Sequence, residues 1–114
     1  MFQAAAHDWL KTLEVQFMIA RISTWEGSAE QLEGWKTGVL ERVKPMVETL
    51  EGNVGALFLL DPNQGRAFTI TIWKDEEAAM KSEQAARGSQ ARTTAGSGAT
   101  MTWSSQRCDV VAKI

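Results

Sequence analysis

In RAFTITIW (66–73), Phe68, Ile70 and Ile72 alternate with Thr69, Thr71 and Trp73. Successive strand side chains point to opposite faces, so this run predicts a strand with two unlike faces. VGALFLLD (54–61) is a nearly continuous apolar run, and PNQG (62–65) is rich in turn residues. Together the three pieces predict a β-hairpin. Upstream, QFMIARISTW (16–25) sets Ile19 and Arg21 against Met18, Ala20 and Ile22 and predicts a strand of about eight residues. A final strand is predicted in RCDVVAKI (107–114), with Cys108, Val110, Ala112 and Ile114 on one side, after the small-residue loop AGSGATMTWSS (95–105).

Between these strands the period changes from two to about 3.6. Leu32, Trp35, Val39, Val43, Met46, Val47 and Leu50 recur at steps of three and four and draw one helical stripe. Ser28 and Gln31 fit a capping box at its start, and Gly52 fits its end. Pro45 lies inside the stripe, where its ring collides with the preceding turn, so a kink or two shorter helices are expected. KDEEAAMKSEQAARGSQART (74–93) is helical in composition, with Asp75 as cap and Glu76 and Glu77 at the positive end of the helix dipole. Residues 3–14 read as a short amphipathic helix with Trp9, Leu10 and Leu13 on one side. The main pattern begins at Met18, a candidate start, with residues 1–17 as an N-terminal helical extension and 18–114 as the domain.

The order is β-α-β-β-α-β after an extra short N-terminal helix. That is an α+β, ferredoxin-like arrangement: a four-stranded antiparallel sheet with both helices on one face. The run Ala56 to Leu60 has apolar residues pointing both ways, more than one helical layer can bury. A second copy of the chain on the open face is the economical cover, so a homodimer is expected.

Composition narrows the function classes. The chain has 114 residues, enough for one domain, with 44% hydrophobic and 23% charged residues. Net charge is -2 and no basic patch stands out, which argues against a nucleic-acid partner. No apolar run approaches the roughly 18 to 20 residues of a membrane span, and Asp8, Lys11 and Glu14 interrupt what would be a signal peptide. With Cys108 as the sole cysteine, a cytoplasmic protein is expected.

Three stretches, MIARISTWEG (18–27), VKPMVETLEGNVGALFLL (43–60) and ITIWKDEEAAMKSEQAA (70–86), together resemble the antibiotic biosynthesis monooxygenase (ABM) type of domain in the dimeric α+β barrel superfamily. The resemblance covers about residues 17–114. Its most specific piece is the junction where a strand ends in Trp73 and an acidic N-cap follows. It implies the fold strongly and the activity weakly. Among relatives of known activity, haem-degrading members use a tryptophan at this strand end, a first-strand asparagine and a second-helix histidine. Here Trp73 matches, Arg21 stands at the first-strand position, and Glu83 and Gln84 stand about ten residues after Trp73. The only histidine, His7, lies outside the matched region, so that route is disfavoured. The quinone-forming members, which use no metal or flavin, are associated with pocket tyrosines, and this chain has none. That absence weakens the quinone-forming assignment as well. What the resemblance still allows is a cofactor-independent monooxygenase acting on a small aromatic compound; the alternative is a non-catalytic small-molecule binder or a structural homodimer.

Four residues are candidates for a ligand pocket: Trp73, Trp25, Trp35 and Arg21. Trp73 is either a pocket wall that stacks on a flat ligand or a core aromatic. Trp25 and Trp35 fall near the same end of the fold and form either an aromatic box with Trp73 or plain core. A mid-strand Arg21 needs a partner or an opening to water; it holds a carboxylate or phenolate ligand, or pairs with Glu or Asp across a dimer. Trp103 has no assigned place. Cys108 lacks a histidine to activate it and reads as a small hydrophobe, and Arg87 and Arg92 read as solvated charges. No His, Cys, Asp and Glu set has metal spacing, and GSGAT lacks the lysine of a phosphate loop.

Overall fold

A computed structural model of the chain describes residues 15–96 and 101–114, with side chains described throughout these except at 86 and 88–96. The expected helix at 3–14, His7, the side chain of Arg92 and most of the GSGAT segment lie outside the described residues. The elements are β1 (Ile19–Glu26), α1 (Ala29–Gly38), a π-helical turn (Val39–Val43), α2 (Lys44–Thr49), β2 (Asn53–Asp61), β3 (Arg66–Trp73), α3 (Glu76–Gly96) and β4 (Thr102–Asp109). The sheet is antiparallel with strand order β2-β3-β1-β4, the expected β-α-β-β-α-β arrangement. Among the described residues no helix is long and apolar enough to cross a membrane.

The helix starts follow their local chemistry. Ser28 Oγ accepts from the Gln31 N–H, and Gln31 Oε1 accepts from the Ser28 N–H, closing the capping box. Asp75 Oδ1 accepts from the Ala78 N–H at 2.8 Å and starts α3. The predicted interruption at Pro45 takes the form of a widened turn. The Lys44 N–H reaches back five residues to the Val39 carbonyl, and Pro45 then sits in the first turn of α2. The wider turn eases the clash a proline ring makes with the carbonyl four residues before it. The apolar stripe stays in phase through it: Leu32, Trp35, Val39 and Val47 are buried and Val43, Met46 and Leu50 half-buried.

One face of the sheet is packed against the helices. It carries Ala67, Thr69, Thr71 and Trp73 of β3, all buried, while Phe68, Ile70 and Ile72 are half-buried on the other face. The polar threonines therefore lie inside and the isoleucines outside, an unusual division for a two-layer domain. On β2, Phe58 and Leu60 pack into the core, whereas Leu57 and Leu59 project from the open face at 58% and 42% exposure.

The last strand differs from expectation. Thr102–Asp109 forms β4, so most of TMTWSS is strand, and Ala112 and Ile114 lie beyond it. The cause is its partner: β1 begins at Ile19, which faces Asp109, and past that point only the Val110 N–H to Met18 carbonyl bond continues the pairing. Val111 is 89% exposed. As an edge strand β4 is exposed along its length and built from Thr, Ser, Gln and Arg, which masks it in a hydrophobicity pattern.

The core divides into two clusters. Leu32, Trp35, Val39, Ala67 and Met101 form the larger, with Trp25 and Phe58 against it; Trp73, Ala78 and Ala79 form the smaller, with Ile19 and Leu50. Gly52 closes the fold beside the smaller one. Its φ is +85° and its carbonyl accepts from the Lys74 N–H at 2.8 Å. A Cβ there would stand 2.5 Å from that of Ala78. In urea unfolding, Gly52→Ala is therefore expected to cost more than about 1 kcal/mol. Ser28→Ala, which removes one cap acceptor, is expected to cost about 1 kcal/mol, and Leu32→Ala about 2 to 5 kcal/mol.

Candidate functional site

Strand register builds the site. Arg21, Ser23 and Trp25 of β1 face the helices, opposite Thr71, Thr69 and Ala67 of β3 and Arg107, Ser105 and Trp103 of β4. A cavity lies between this face and the helices, lined by members of both core clusters. It has about 640 Å³ of space not filled by atoms, part of it the open mouth. Trp25, Trp35, Trp73 and Trp103 all line it. Val39 and Val43 of the π-helical turn and Met46, Val47 and Leu50 form the helical wall.

The tryptophans are held in different ways. The Trp25 and Trp35 rings pack with centroids 5.6 Å apart at a 50° tilt. Small Ala67, the β3 neighbour of Trp25, leaves room for this pair. Trp73 is fully buried (0% exposed) and donates its Nε1–H to Thr71 Oγ1 at 3.1 Å. Trp103 faces Trp25 across β1 and β4 and is 43% exposed. Its place was not legible from the sequence; once β4 is recognised, the alternation Trp103, Ser105, Arg107 puts it on the cavity side.

Arg21 is the only ionisable group among the described residues that line the cavity. Its Nη1 donates to Ser82 Oγ at 2.9 Å, and the Ser82 hydroxyl donates in turn to the Ala79 carbonyl. Its guanidinium carbon lies 5.8 Å from the Trp73 ring centroid. Among the described residues Arg21 has no direct ion pair. Burial pushes its guanidinium below the ordinary range; the nearby Glu83 carboxylate pulls it back up and the Arg107 cation adds to the depression. Glu83 is itself engaged: its Oε1 accepts from Arg107 Nε at 2.9 Å and Nη2 at 2.7 Å, and Arg107 Nη1 reaches Glu76. Glu83 is thus hydrogen-bonded to Arg107 and reaches Arg21 only through its field.

Chemically the cavity offers flat aromatic walls, three hydroxyls (Ser23, Thr69 and Thr71) and one cation. Among its described lining there is no carboxylate, histidine or thiol to accept a proton. Such a surface can position a ring and its oxygen atoms.

Structural comparison agrees with the architecture. A protein from Caulobacter crescentus described as a candidate antibiotic biosynthesis monooxygenase superposes with a TM-score of 0.64 at 15% identity, over 90% of this chain and 98% of that one. The fold is ABM-like. SnoaB of Streptomyces nogalater, a cofactor-independent oxygenase, has a TM-score of 0.59 at 13% identity, over 86% and 97% of the two chains. A dimeric ferredoxin-like protein from an uncultured marine organism has 0.65 at 16% identity, over 85% and 97%. No protein-family profile and no curated protein matches the sequence. At these identities the likeness carries the fold, and the ABM-like chain's chemistry has to be argued from its own residues.

A half-buried guanidinium without a carboxylate in direct contact costs folding energy. Arg21→Met is therefore expected to be neutral to about 1 kcal/mol more stable in urea unfolding, the direction seen when a group is kept for a site and not for the fold. A loss of several kcal/mol would mark Arg21 as structural.

Proposed function

We propose that this ABM-like protein is a cofactor-independent monooxygenase of a small electron-rich aromatic compound, held in the tryptophan cavity. The observation that carries the reading is the cavity itself: four indoles around a slot whose only described ionisable group is a cation. The oxygenase neighbours on the same fold add weight.

In this reading the rings of Trp25, Trp35, Trp73 and Trp103 hold the substrate flat, and Arg21 stands by its ionised oxygen. A phenolate next to a cation is easier to form and to keep in an apolar slot. The phenolate supplies every electron that O2 takes up. One oxygen atom bonds to the ring carbon and becomes the new quinone oxygen. The other leaves as water with the ring hydrogen and the phenolic proton. With no proton acceptor among the described lining, the substrate has to be a phenol acidic enough to ionise beside Arg21.

That same lack of a proton acceptor favours a second reading, a non-catalytic binder of flat molecules. The open sheet face bears on both. Leu57 and Leu59 are exposed and Phe68, Ile70 and Ile72 half-buried there, so a second copy of the chain is the proposed cover.

The readings separate by experiment. In air, a dihydroxynaphthalene or an anthrone is expected to be converted to its quinone with matching oxygen uptake, and Trp73→Phe to slow this at least about tenfold by loosening the ring's position. Ligand binding without product across a panel of phenols would leave the binder; neither binding nor turnover would remove both. Light scattering is expected to give a dimer, and Leu57→Lys with Leu59→Lys to give monomer. A monomeric parent chain would overturn the assembly.

A further inference from the structure

The tryptophan cavity does not end at Arg21. A second opening shares Arg21 and Trp103 with it and continues outward along β4 and α3, with about 560 Å³ of space including its mouth. Its lining is of another kind: Arg21, Arg87 and Arg107, with Glu83, Ser105 and Gln106. In a chain of net charge -2, three guanidiniums meet here.

Their charges are not matched locally. Glu83 and Glu76 are both taken by Arg107. Arg21 hydrogen-bonds only to the neutral Ser82 hydroxyl, and Arg87, exposed on α3, has no carboxylate partner among the described residues. Arg21 and Arg107 are direct cross-strand neighbours on the same face, a placement that repels. Three cations against two carboxylates leave one positive charge at the place where the aromatic slot opens, partly out of water.

From this junction we infer that the occupant of the tryptophan cavity carries a carboxylate, taken by Arg21 at the junction and by Arg87 in the opening beyond it. The inference rests on the ligand-pocket reading of that cavity. A carboxylate supplies the single missing negative charge, and its two oxygens match the fork of a guanidinium. The ring would lie among the indoles and the acid would point outward past Arg21. The ligand class is then an aromatic acid, whose carboxylate takes the place beside Arg21 that the phenolate holds in the oxygenase reading. Burial of Arg21, which lowers its proton affinity, is offset when an anion stands beside it.

The test is calorimetric titration of the full chain at neutral pH with naphthalene-2-carboxylate and with its neutral amide, which has the same ring and shape. The carboxylate is expected to bind roughly tenfold tighter or more, the scale of hydrogen bonds to a charged group. Arg21→Gln is expected to erase that preference, and Arg87→Gln to reduce it about threefold with affinity for the amide unchanged. Arg87 is exposed, so its variant keeps the fold whatever the outcome at Arg21. Equal affinity for the two compounds would overturn the acid and leave the pocket standing. So would a preference that survives both substitutions. Failure of both compounds to bind would remove the pocket reading, and the inference with it.

Discussion

The structure depends on the register of β1 at the middle of the sheet. β1 pairs with β3 on one side and β4 on the other, and these pairings put Arg21, Ser23 and Trp25 under the helices. A slip of one residue would send Ala20, Ile22 and Thr24 inward in their place and turn the arginine out to the open face. Ser23 Oγ donates to Ser105 Oγ across the β1–β4 pair, a side-chain tie on that face. The two core clusters, the indole walls and the cation all follow from this alignment. The helices contribute the lid, but β1 decides what lies beneath it.

Inside and outside are divided against the usual rule. The helix-facing side of β3 holds two threonines, and its outward side holds Phe68, Ile70 and Ile72. A core built for stability alone would place the isoleucines inward, since each buried aliphatic side chain contributes about 1.5 to 3 kcal/mol. Hydroxyls and a half-buried guanidinium inside, with large apolar residues outside, describe a protein whose interior is shaped around a space and whose exterior is shaped to be covered.

Much of this was legible in the sequence, for definite reasons. The capping box at Ser28, the cap at Asp75 and the period-two pattern of RAFTITIW are local signals, and local chemistry fixed those elements. Pro45 announced a break, although the pattern did not say that the break would be a π-helical turn. β4 was displaced because an edge strand needs no apolar pattern; its limits come from β1, far away in sequence. Trp103 was lost with it. Arg21 stood out as a charge in a strand, but its bond to Ser82 and the engagement of Glu83 by Arg107 join residues 61 and 24 positions apart, which only the folded chain brings together.

The space between the two core clusters has a thermodynamic side. Trp35 and Val39 belong to one cluster and Trp73 to the other, and the cavity lies between them. Walls that face a void forgo the dispersion contacts of close packing. Whatever fills the slot touches both clusters at once and so couples halves that are otherwise joined mainly through the sheet. Occupancy must then appear as melting temperature: a ligand at a hundred times its dissociation constant adds about 2.7 kcal/mol by mass action alone. The stability curve would thus gauge any occupant by itself, readable before any reaction is known.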